Sequence, residues 1–169
     1  MRKIENNLNQ LTNTRKLTIS AIVIALYVVI MFMTQSFAFG QYQVRIATSL
    51  YALSAIYPFL IIPLGLANFL SNTLMGGLGI FDMLGGFAVG ILTASACFYL
   101  NKINVYLVSV PILLFPTLLV PVWLSYLLGI PYMVLVVSVG IGQILPGMVG
   151  VLIVKNLEKV LLKGLGGII

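Results

Sequence analysis

The chain has 169 residues, 61% hydrophobic and only 7% charged, with a net charge of +6 and a mean hydropathy of +1.16. A water-soluble domain needs about 25% charged residues to cover its surface, so a soluble globular protein is excluded and lipid must serve as the outer solvent. Eight of the nine basic residues (Arg2, Lys3, Arg15, Lys16, Lys102, Lys155, Lys159 and Lys163) fall at the termini and in one middle connection, with Arg45 apart. That is a distribution of topology signals on a membrane protein, and it argues against a nucleic-acid-binding stripe.

Residues 1–16 are polar, rich in Asn and Gln, and read as a cytoplasmic tail. An apolar run over 17–39 follows Arg15-Lys16. Signal-peptide cores extend over about 7–15 residues, so this longer run is expected to be a retained first helix. Gln41, Gln43 and Arg45 interrupt the apolar character, and a second span is expected over 46–62, ending at Pro63-Leu64-Gly65. A short third span, 66–78, contains Asn68 and Asn72, and a fourth follows Gly79-Ile80-Phe81-Asp82 and runs to about residue 100. After the polar turn at 101–104, the fifth span, 105–128, carries Pro111, Pro116 and Pro121 and is expected to be bent, broken or partly re-entrant. A sixth runs over 132–154, and a basic cytoplasmic tail occupies 157–169.

The fold class expected is therefore an all-α membrane protein, a bundle of six transmembrane helices occupying 17–156, with both termini cytoplasmic. Six crossings gather the eight basic residues on one face, which the positive-inside rule makes cytoplasmic. Arg45 and Asp82 then belong to the outer side.

Amide and ionisable side chains at membrane depth are costly and face a cavity or a partner. Gln41, Gln43, Arg45, Asn68, Asn72, Asp82 and Gln143 are the candidates. Asn68 and Asn72 share a helical face by their spacing of four. Together these residues suit a small, planar, hydrogen-bonding ligand in a pocket opening outward. A structural reading stands beside this one: Arg45 and Asp82 as an ion pair pinning two loops, and the two asparagines and Gln143 as interhelical packing contacts. Tyr42, Tyr51, Tyr57, Trp123, Tyr126 and Tyr132 read by default as an interfacial aromatic belt. Ala21 and Ala25 form a small-xxx-small stripe, which serves close packing either inside the bundle or against a partner.

The chain has no histidine and one cysteine, Cys97; no disulfide, metal or other cofactor is expected. Paired carboxylates and a phosphate-cradling Gly-Lys-Ser/Thr loop are also missing from the sequence, so no catalysis is expected of this chain, and uphill transport would draw on a partner or an ion gradient.

Six short helices with Ala21-xxx-Ala25 on the first resemble the substrate-binding S component of an energy-coupling-factor vitamin transporter. Gln43-Val44-Arg45-Ile46 is similar to the QVRI-type motif of the QueT family, which is assigned to queuosine precursors. The stretches Leu64-Gly65-Leu66-Ala67-Asn68-Phe69-Leu70-Ser71 and Gly77-Leu78-Gly79-Ile80-Phe81-Asp82 resemble that family's LG-x-x-AN-x-x-S and LG-x-x-D patterns. The resemblance is carried by about the first 100 residues; beyond them it is one of size and hydropathy. It implies a substrate pocket formed by outer loops and helix ends, with Arg45, Asn68 and Asp82 at motif positions. It implies further that Ala21 and Ala25 face a transmembrane coupling subunit, itself joined to two cytoplasmic ATPases, and that the bundle reorients bodily when ATP is used. The family's R-x-x-E arrangement has Thr48 in place of its glutamate here.

Overall fold

A computed structural model describes residues 11–38, 43–75 and 77–166. Gln41 and Tyr42 lie outside the described residues. The described residues form helices and no strand: α1 (Asn13–Met33), α2 (Gln35–Ala38), a 3-10 helix over Ile46–Ala55, a 3-10 turn at Pro58–Leu60, α3 (Ile61–Leu74), α4 (Ile80–Asn101), a 3-10 turn at Val105–Val108, α5 (Ser109–Leu128) and α6 (Tyr132–Gly166). Four helical segments, Asn13–Met33, Ile80–Asn101, Val105–Leu128 and Tyr132–Lys163, are long and apolar enough to cross a membrane; Ile46–Ala55 and Pro58–Leu74 are shorter apolar helices. Large side chains such as Leu17, Phe32, Leu92, Val122, Val137 and Leu152 are exposed, as expected of a surface whose solvent is hydrocarbon. The protein is a multi-pass membrane protein.

Several boundaries differ from the sequence-based expectation, each for an identifiable reason. The second expected span does not end at Pro63. The break falls at Ile56-Tyr57, and the chain is helical from Pro58 to Leu74. Pro63 sits in the first turn of α3, where an amide proton has no helical acceptor anyway, so it marks a beginning. The fifth span is an unbroken helix through Pro116 and Pro121, both buried; Pro111 lies in its first turn, and neighbouring helices shelter the backbone groups that the two inner prolines leave unpaired. Helix α4 begins at Ile80 and takes Asp82 into its first turn, where a carboxylate is favoured by the helix dipole. The basic C-terminal segment continues α6, and α1 begins at Asn13 with Thr12 as its cap, accepting from the Arg15 amide at 3.4 Å.

The 3-10 helix is the centre of the molecule, with eight of its ten residues buried. A rise of about 2.0 Å per residue stretches ten residues over roughly 20 Å, where an α-helix would cover about 15 Å. Its hydroxyls reinforce the three-residue spacing: Thr48 Oγ1 bonds the Arg45 carbonyl at 2.7 Å and Ser54 Oγ the Tyr51 carbonyl at 2.6 Å. Small residues let α6 come close, since a Cβ on Gly150 would stand 3.3 Å from Ala52 Cβ. Helices α3 and α4 cross at Gly65 and Gly90, where a Cβ on Gly90 would lie 3.0 Å from Gly65 Cα.

Contacts at the two ends fix the course of the chain. At one end Arg45, the last turn of α3 and the first turn of α4 meet through Asn72. At the other, Asn101 at the end of α4 donates to the Ala55 carbonyl and to Glu158 of α6, both at 3.4 Å, and Lys155 donates to the Tyr106 hydroxyl at 3.0 Å. The 3-10 helix thus descends the length of α4, and Pro58–Leu74 returns.

The same substitution is expected to have opposite outcomes at two glycines, Gly65 at the crossing of α3 and α4 and Gly147 where α6 passes Ser109 of α5. Gly65→Ala places a Cβ 2.7 Å from Ile91 Cγ1 and 3.2 Å from the Phe87 carbonyl, and should cost about 1–3 kcal/mol through overpacking. Gly147→Ala meets nothing nearer than 3.4 Å and should be neutral or stabilising through helix propensity. Thermal unfolding in detergent checks both.

Candidate functional site

The site is built on the end of the bundle where Arg45, Asn72 and Asp82 meet. The chain enters it through Gln43, whose φ of +44° is left-handed and uncommon for a residue with a side chain. The Val44 amide then donates to the Phe37 carbonyl at 3.0 Å. This turn delivers Arg45 to the top of the 3-10 helix, and its side chain, only 6% exposed, points into the bundle. Arg45 Nε donates to the Ala38 carbonyl and Nη1 to Asn72 Oδ1, each at a long 3.4 Å.

Asn72 is the junction. It is fully buried, and its Nδ2 donates to the Asp82 carbonyl at 2.9 Å while its own carbonyl accepts from the Gly77 amide at 2.7 Å. One side chain therefore bridges Arg45 to the first turn of α4. The Asp82 carboxylate, 3% exposed, accepts from Trp123 Nε1 at 3.0 Å through Oδ1 and from the Leu78 amide at 3.4 Å through Oδ2. A charged group held in low dielectric by such bonds is stable only while they are kept. Gly85 lets the indole approach, since a Cβ there would stand 2.9 Å from the Trp123 ring.

A second arm runs deeper. Asn68 Nδ2 donates to the Tyr51 hydroxyl at 2.7 Å, and the Tyr27 hydroxyl lies 3.2 Å beyond. Asn68 Oδ1 is buried without a hydrogen-bond partner. The shared face of the two asparagines lies over Gly86, where a Cβ would be 2.7 Å from Asn72 Nδ2 and 2.9 Å from Asn68 Oδ1. Nearby, Thr48 Oγ1 stands 2.9 Å from Gln143 Oε1, so the position of the family glutamate is joined to the mid-span glutamine.

The structure thus gathers Arg45, Asn72 and Asp82 directly and sets Asn68 beside Asn72. Gln43 contributes a backbone turn, and its side chain is half-buried. Ala21 and Ala25 are exposed, whereas the inward stripe of α1 is Val23, Tyr27 and Met31; the alanine pair is not used for packing within this bundle. Two residues of the expected aromatic belt are corrected. Tyr51 has no exposed surface and belongs to the deeper arm, and Trp123 bonds Asp82. Tyr126, by contrast, is 84% exposed. Trp123 was findable in principle, because it closes a span whose end shares a side with Asp82, and the glycines following Asp82 leave room for a large ring.

Every side chain in the cluster of Arg45, Asn68, Asn72 and Asp82 is less than a tenth exposed. A ligand entering there would exchange its hydrogen bonds for those the residues now make with each other. The arrangement offers guanidinium and amide donors, a carboxylate and an amide acceptor.

Neither a curated protein nor a solved structure matches this chain. The family model of the QueT transporter matches residues 17–159, from the start of the first apolar run to the basic stripe of α6. That match extends the likeness well past the motifs of the first half, and the chain belongs to the QueT transporter family.

Proposed function

We propose that this protein is the membrane-embedded substrate-binding subunit of an energy-coupling-factor importer, taking up a queuosine precursor, a deazaguanine-type base, with ATP hydrolysed by partner subunits. The observation that carries the reading is the buried Arg45–Asn72–Asp82 cluster at one end of a chain of the QueT transporter family. A guanine-like base presents an oxo acceptor and a donor edge. Arg45 is suited to the first, and Asp82 with Asn68 Oδ1 to the second. Gln43, at the turn before Arg45, borders the same region.

In this reading six helical passes cross the membrane. The two shorter ones support that count because they run between the same two ends as α4. Lys102, Lys155, Lys159 and Lys163 lie at or beside the end opposite Asp82, and Arg15 and Lys16 stand in the first turn of α1 at that same end, which favours a cytoplasmic assignment for that end and for both termini. The substrate then enters from outside. The exposed Ala21 and Ala25 allow a transmembrane coupling subunit to approach the backbone of α1, and two cytoplasmic ATPases act through it. Thr48, paired with Gln143 where the family pattern has a glutamate, favours one second reading: the same kind of subunit serving a different vitamin or base.

Three outcomes are expected. A deazaguanine base near 100 times its dissociation constant should stabilise the detergent-purified protein by about 2.7 kcal/mol in thermal unfolding, while thiamin and riboflavin leave it unchanged. A shift with another vitamin and none with any deazaguanine would reject the substrate. Asn72→Ala should cost about 1–3 kcal/mol, because it strips Arg45 and the Asp82 carbonyl of a buried partner, and should abolish the ligand-dependent shift. Ala21→Trp and Ala25→Trp should abolish co-purification of the coupling subunit while preserving the ligand shift; retained complexes with both variants would contradict the docking surface.

A further inference from the structure

A second built feature lies at the opposite end of the bundle, in the groove between the start of α5 and the last turns of α6. Its end nearer the C-terminus is an open cavity of about 490 Å³ lined by Val105, Lys155, Glu158, Lys159, Leu162 and Lys163. The three lysines are spaced by four and form one stripe on α6. The carboxylate of Glu158 is engaged by Asn101 Nδ2 at 3.4 Å. Directly along the groove a cavity of about 330 Å³ is lined by Tyr106, Ser109, Met148, Val151 and Leu152. Leu152 and Lys155 are one helical turn apart, so the two cavities adjoin. Tyr106 stands at the boundary, its hydroxyl accepting from Lys155 Nζ at 3.0 Å and its ring centroid 4.7 Å from that nitrogen.

We infer that this groove binds an anionic phospholipid, with the phosphate headgroup on the lysine stripe and an acyl chain along Met148, Val151 and Leu152. Charge and polarity change together along one groove, from three ammonium groups to an apolar wall. Met148 and Leu152 are 63% and 58% exposed on a helix apolar enough to cross a membrane, so that wall faces hydrocarbon. Basic pockets between helices near the cytoplasmic surface are suited to anionic headgroups. A soluble anion would leave the apolar half unused, and a zwitterionic lipid would leave the lysine charge unanswered. The inference depends on membrane embedding and not on the identity of the transported base.

Native mass spectrometry of the full chain, released from detergent with dioleoylphosphatidylglycerol or dioleoylphosphatidylcholine, tests it. Phosphatidylglycerol adducts should exceed phosphatidylcholine adducts several-fold. Lys159→Gln/Lys163→Gln should bring them to the phosphatidylcholine level, and Lys159→Arg/Lys163→Arg should keep them high. Excess inorganic phosphate should not displace the lipid. Equal retention of the two lipids, undiminished phosphatidylglycerol in the glutamine variant, or complete displacement by inorganic phosphate would each overturn the proposal. So would a glutamine variant that loses its protein partners but retains phosphatidylglycerol, which would assign the stripe to a protein interface. An unchanged unfolding temperature of the glutamine variant shows that the loss of lipid is local.

Discussion

One buried amide joins three segments of the chain at the candidate site. Asn72 accepts from Arg45 and donates to the backbone of Asp82, and so ties the top of the 3-10 helix to the end of α3 and the start of α4. In water such a bond would be worth about 1 kcal/mol net, because solvent competes for every partner. Away from water the alternative is an unsatisfied guanidinium or carbonyl, and that alternative is expensive. The same cluster keeps Arg45 and Asp82 buried, and Trp123 donates to the Asp82 carboxylate.

That arrangement requires thin helices and close approaches. The 3-10 helix reaches from Arg45 to the level of Asn101 with ten residues because it is more stretched than an α-helix, and its alanines and serines leave room for α6 and α4 on either side. Where bulk would separate the asparagines from α4, Gly86 stands instead. Packing and polarity are thus two aspects of one design: small residues bring backbones together, and closeness lets short amide side chains bridge them. A long helix such as α1, with only its Val23, Tyr27 and Met31 stripe buried, is left with a broad outward face.

Composition alone identified the membrane class, since no arrangement of 7% charged residues covers a soluble domain. Spacing placed Asn68 and Asn72 on one face, and the motifs singled out Arg45 and Asp82. What could not be read was the conformation of 46–62, because apolar periodicity does not separate a stretched 3-10 helix from an α-helical span, and because Pro63 breaks a helix only when it is not in the first turn. The positions of Tyr51 and Trp123 also escaped, since an aromatic near a span end has the same sequence signature at a lipid interface as inside a polar cluster. The exposure of Ala21 and Ala25 is not legible either, as the small-residue pattern serves inward and outward packing alike.

We propose that the Asn72 junction serves as a binding site as well as a clamp. Trp123 is the only tryptophan of the chain and bonds the Asp82 carboxylate directly, so its fluorescence reports on that junction. Titrating the purified protein with a deazaguanine base should give a saturable change in emission that is lost in Asp82→Asn and in Arg45→Met. A base that stabilises the protein while leaving Trp123 emission unchanged, or a saturable change that both variants retain, would show that the ligand binds elsewhere and contradict the account.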